Sequence, residues 1–90
     1  MVPAIIYLYR MPLNFSREIS FDGRTVLAVI IPSLRRNGMH YEINVPGYPR
    51  FFMAWSPLGR YDTVHAERLE LPYNLVLALS DTIEAGAIGR

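Results

Sequence analysis

Cysteine does not occur among the 90 residues, which excludes disulfides, a thiolate metal site and a cysteine nucleophile. Lysine is absent as well, and all nine basic residues are arginine. A chain-wide preference for arginine accounts for this, since the arginines run from Arg10 to Arg90 and only Arg35 and Arg36 are adjacent. The functional alternative is a surface chosen for planar, forked recognition of carboxylate or phosphate. A net charge of +1 is not the clustered basic footprint of a duplex-binding protein, so nucleic acid is not an expected partner. The apolar start, Val2 to Tyr9, falls far short of the ~20 residues of a membrane span and has no signal-peptide pattern. No lipidation motif occurs. No Walker A or GxGxxG loop, no HExxH and no Gly-x-Ser-x-Gly elbow occurs, which removes the motif-borne phosphate, zinc-protease and serine-hydrolase readings. The expectation is a soluble cytoplasmic protein with no membrane contact and no cofactor.

Half of the chain is hydrophobic, 51%, and 19% is charged, a composition that folds rather than stays disordered. Ninety residues make a single domain over 1–90, and a chain this short buries only about 60–65% of its unfolded surface. Residues 14–21 alternate, with Phe15, Ile19 and Phe21 on one face, Arg17 interrupting, and Asn14, Ser16, Glu18 and Ser20 on the other. Asp22-Gly23 is a strong hairpin signal because a tight turn needs positive φ. Thr25 to Ile31 is an apolar, β-branched run that reads as a strand ended by Pro32. Asn37-Gly38 marks a second turn, and Met39 to Val45 alternates again. Pro46 to Pro49 is a loop, Arg50 to Trp55 a strand, Ser56 to Gly59 a turn, and Tyr61 to Val64 a last short strand. The sheet thus occupies 14–65, with residues 65–70 irregular.

From Pro72 to Ala85 the pattern turns helical. Pro72 suits the first helical turn, Leu75, Val76, Leu79 and Ile83 form one stripe, and Gly86 suits the C-terminal cap. Asp81 and Glu84 lie at the end of the dipole that disfavours acids, so a neighbouring arginine is expected to offset them. Residues 1–12 read as an extended arm or an edge strand, or, if Met11 is the initiator, residues 1–10 are an extension. The fold class is α+β: a small antiparallel sheet of three to five hairpin-connected strands with one C-terminal helix packed on one face. Strand-rich starts of this kind are common among small bacterial folds.

One helix covers one sheet face. Val26, Ala28, Ile30, Phe52 and Ala54 fall on the second faces of their strands, and an apolar patch of that size is rarely left bare: either the N-terminal segment folds over it or a second copy of the chain does, the second being preferred. The leading expectation is therefore a small non-enzymatic interaction or accessory domain that self-associates, as a homodimer, through the second face, or meets a protein partner there. The alternative is a ligand- or nucleic-acid-binding module built on the segment Tyr48–Tyr61, where rings stack and guanidinium forks donate; its candidate binding residues are Tyr48, Arg50, Phe52, Arg60 and Tyr61. Phe51, Met53 and Trp55 in the same segment read as core. A third reading takes His40, Glu42, His65 and Glu67 as metal ligands, because residues two apart on a strand share a face. Against it, the spacing is common and nothing joins the two pairs, so no metal and no catalytic residue is assigned. The polar stretch from Arg60 to Glu70 reads as a surface ion-pair network, with Asp62 partnered by Arg50 or Arg60.

Overall fold

The computed structural model describes residues 13–87; the arm or edge strand expected over 1–12 lies outside the described residues. Five strands, β1 (Phe15–Phe21), β2 (Arg24–Arg35), β3 (Gly38–Asn44), β4 (Phe51–Trp55) and β5 (Tyr61–Val64), form one antiparallel sheet in sequential order. One helix, α1 (Tyr73–Ala87), follows and packs on the sheet. No helix among the described residues is long and apolar enough to cross a membrane.

The turn residues set the register. Asp22 and Gly23 take φ of 51° and 74°, the left-handed pair of a type I′ hairpin, and close Phe21 onto Arg24. From there Ile19 faces Val26, and Phe15 faces Ile30. Arg36 and Asn37 close the next hairpin, pairing Arg35 with Gly38. Pro32 does not end β2, contrary to the sequence reading. Pairing with β1 stops at Phe15↔Ile30, so Ile31–Arg35 has β3 on one side and no described strand on the other. A proline is tolerated on such an edge stretch, where a missing donor breaks no ladder.

The buried face joins Ile19 and Phe21 of β1, Ala28 and Ile30 of β2, Tyr41 and Ile43 of β3, Phe51 and Met53 of β4, and Tyr61 of β5 to the helix stripe Leu75, Val76, Leu79 and Ile83. Ala28 and Ile30 are therefore core, with Val26 packed against them, and not on the open face as the sequence reading had it. The Ile30↔Ile43 and Ile43↔Phe51 pairings settle this, since residues opposite each other point to the same side. The open face takes the other parity: Leu27, Val29 and Ile31 on β2, His40 and Glu42 on β3, Phe52 and Ala54 on β4, Asp62 and Val64 on β5.

Helix α1 makes its closest backbone approach to β1 and β5, the two edge strands, so the sheet curls around it. At its start, Asn74 Nδ2 donates to Asp22 Oδ1 at 2.7 Å. At mid-length, the buried Ser80 Oγ accepts the Tyr61 N–H at 3.0 Å, satisfying a donor on an edge strand. At its end, Gly86 lies against the Phe15 ring, where an added Cβ would come within 2.9 Å. Gly86 is thus inside the helix at a close contact and is not the cap expected from the sequence. Pro72 stands one position earlier than expected: its carbonyl accepts from Leu75 and Val76 at 3.1 and 3.2 Å, placing it at the N-cap. Arg17 shares a shallow depression with Asp81, but no ion pair joins them among the described residues; Arg17 lies over the Phe15 ring instead.

Candidate functional site

The open face carries a groove of about 650 Å³. Its wall is built from the β2–β3 hairpin (Arg35, Arg36, Asn37), the middle of β3 (His40), the start of β4 (Arg50, Phe51, Phe52) and the end of β5 with the loop beyond it (Val64, His65, Leu69). The register explains the convergence. Glu42, Phe52 and Val64 form one cross-strand row, so Phe52 stands at the centre of the β3–β5 half of the face. Arg35 sits at the hairpin end of β2, and Arg50 enters at the opposite end of β3, next to the Ile43↔Phe51 pair. Both side chains lie toward the same ring, with guanidinium carbons 5.3 Å and 5.9 Å from the Phe52 centroid. Cations over an aromatic face are held by the ring quadrupole, about 0.5–1 kcal/mol each at exposed sites.

The charge in this wall has one sign. Seven of the nine arginines lie within the described span, and three of those seven line this groove, whose lining holds no carboxylate. The nearest counter-charge is Glu42, 3.9 Å from Arg50 and itself accepting from Asn44 Nδ2 at 2.9 Å. A pair at that distance, with Arg50 63% exposed, holds little energy, about 0–1 kcal/mol. Arg35 donates to Ser33 Oγ at a long 3.4 Å, and Arg36 makes no ion pair among the described residues. Most of the donor capacity of three guanidiniums therefore faces solvent.

His65 adds a backbone signal. Its φ is 54°, and the other non-glycine residue with positive φ, Asp22, belongs to a hairpin that requires it. His65 closes no hairpin. It sits where the chain leaves β5, and the left-handed turn places it in the groove wall. Such a conformation costs an L-residue about 1–2 kcal/mol, the kind of local strain that gathers at functional positions.

Of the five binding residues expected from the sequence, only Arg50 and Phe52 meet in this groove. Tyr48 lies in a separate shallow depression of about 380 Å³ with Leu27, Val29, Asn44, Val45 and Pro46. It is held there by a turn in which its N–H donates to the Val45 carbonyl at 3.1 Å. Arg60 pairs with Asp62 at 3.9 Å, as one of the two expected partners, and its guanidinium lies over the Tyr73 ring at the start of α1. Tyr61 is buried, edge-on to Tyr41 at 5.4 Å, and offers nothing to a ligand. Burial pushes the Tyr41 hydroxyl well above its ordinary value of 10.0, and the Tyr61 hydroxyl beside it adds to the shift. Trp55, expected in the core, is 54% exposed: it shares the core-side parity of β4 with Phe51 and Met53 but stays half in water, touching Tyr61 edge-on at 5.1 Å.

The metal reading brought forward His40 and His65, and both do line the groove. Their carboxylate partners do not follow them: Glu42 is engaged by Asn44 and Arg50, and Glu67 is not in the wall. Among the described residues no three of His, Cys, Asp and Glu stand together to hold an ion. Arg35 and Arg36 went unassigned to a site in the sequence reading. Their adjacency, unique among the arginines, was the available signal, and it became informative only once the hairpin put Phe52 and Arg50 within their reach. Compared with known proteins, the chain matches no family model, no curated protein and no solved structure.

Proposed function

We propose that the protein is a small non-enzymatic binding domain that takes anionic partners in the groove on the helix-free face of its sheet. The supporting observation is the single-signed wall: Arg35, Arg36 and Arg50, with His40 and His65, share it with one half-buried ring, and no carboxylate lines it. Guanidinium forks match carboxylate and phosphate geometry, and a groove wall of one sign raises the local concentration of the opposite charge. The other side of the sheet is packed against the helix stripe. Titration of the 15N-labelled protein with inorganic pyrophosphate tests the reading. Amide shifts are expected at Arg36, Asn37, His40, Phe52 and His65, and they should weaken as NaCl rises from about 50 to about 500 mM. Shifts distributed equally over Arg24, Arg68 and the groove contradict it.

A second reading, self-association, draws on the other half of the same face. Leu27 is 50% and Val29 37% exposed, side by side on β2 next to the Tyr48 depression. A second copy of the chain seated on this stripe would bury both. Light scattering at high micromolar concentration reads the outcome directly: a dimer that Leu27→Asp converts to monomer supports it, and a wild-type monomer removes it.

A further inference from the structure

Building on the anion-binding reading, we infer that the occupant of the groove is an aryl phosphate monoester, a phosphate dianion carried on a flat ring. The argument rests on the two kinds of wall in one cavity. One part is cationic and forked, from Arg35 and Arg36 on the hairpin and Arg50 on β4; the other is apolar, from Phe52, Val64 and Leu69. A bare inorganic anion uses the first and leaves the second wet. A phosphate monoester offers three acceptor oxygens to the guanidiniums, and its ring covers the apolar part. A flat ring is favoured over an aliphatic chain because two guanidiniums already lie over the Phe52 ring, and guanidiniums stack on π faces as readily as they pair with phosphate. A volume of about 650 Å³ falls within the ~300–1,000 Å³ typical of small-ligand sites and far exceeds what phosphate alone fills. The strained turn at His65 places a histidine in the same wall, a further donor for the ester oxygens.

Trp55 lies on the opposite face, so its fluorescence is a poor reporter, and amide shifts of the full chain are the readout. Three probes separate the contributions: phenyl phosphate, inorganic phosphate and phenol. The expected result is phenyl phosphate binding at least tenfold tighter than inorganic phosphate, and phenol producing no shifts at the same concentration. Arg36→Gln and Arg50→Gln should each weaken phenyl phosphate at least fivefold without moving the melting temperature. His65→Gly, which relieves the backbone, should weaken it while the fold stays intact. A peptide carrying phosphotyrosine distinguishes a chain-borne source from a free one: binding at least as tight as phenyl phosphate places the ester on a protein, and weaker binding places it on a small molecule. Equal affinities for phenyl phosphate and inorganic phosphate overturn the inference while leaving anion binding in place. Absence of groove shifts with every phosphate removes both.

Discussion

The two faces of the sheet are made by the same alternating strands and end as chemical opposites. On one, Ile30, Ile43 and Met53 meet Leu75, Leu79 and Ile83 with no exposed surface at all. On the other, Leu27 and Val29 stay in water on β2 while Arg35, Arg36 and Arg50 line the groove that holds Phe52. The helix makes the difference. By approaching both edge strands it uses the inner parity of every strand for cohesion, and among the described residues no other element covers the outer parity. Stability should therefore reside on one side of the sheet and recognition on the other, and substitutions can be chosen to break that division.

The largest effect belongs to the helix side. Leu79→Ala should cost about 2–5 kcal/mol, enough to unfold much of a small domain, because its side chain is fully enclosed. Leu27→Ala on the open face should stay within about 0.5 kcal/mol in the same urea titration. Equal losses at the two positions would show that the outer face is also sealed. Next comes Gly86→Ala. In an exposed helix interior this exchange gains about 1 kcal/mol. Here the new methyl would come within 2.9 Å of the Phe15 ring, so a loss of about 1–3 kcal/mol is expected, restored in part by Phe15→Leu.

A smaller effect appears with pH. The Tyr41 hydroxyl is raised in the folded chain, so the unfolded chain releases this proton first as pH rises. The folded state then binds more protons than the unfolded one, and stability falls with increasing pH. Stability should be fully present below the ordinary tyrosine value of 10.0 and fall above it, and Tyr41→Phe should flatten the alkaline limb of the melting curve. The smallest stability effect is at His65, where glycine relieves positive φ but loosens the unfolded chain. The two offset to within about 0.5 kcal/mol. Ligand affinity should drop nonetheless, which a purely structural role for His65 would not produce.

Much of this fold is legible in the sequence. Asp22-Gly23 fixed the first hairpin, the alternation in Met39 to Asn44 gave β3, and the 3.6-residue spacing of Leu75, Leu79 and Ile83 gave the helix stripe. These signals are local, so the chain displays them directly. What failed needed knowledge of neighbours. Ala28 and Ile30 lie in a run that is apolar at both parities, and only pairing with Ile43 shows which parity faces the helix. Pro32 reads as a terminator unless the end of β1 is known. Gly86 reads as a cap unless the Phe15 ring is seen against it.

The site was less legible, for the same reason. The sequence window Tyr48–Tyr61 holds residues that the structure sends to four places: a shallow depression, the groove, the start of the helix and the core. The groove instead joins positions from 35 to 69 through cross-strand rows, a relation that no linear window contains.

The division between a cohesive face and a recognising face meets its most direct test in the combined variant Arg35→Gln, Arg36→Gln, Arg50→Gln, with melting and phenyl phosphate affinity measured on the same sample. The account predicts an unchanged melting temperature and loss of the amide shifts around Phe52. Retained affinity, or unfolding of the variant, would contradict it.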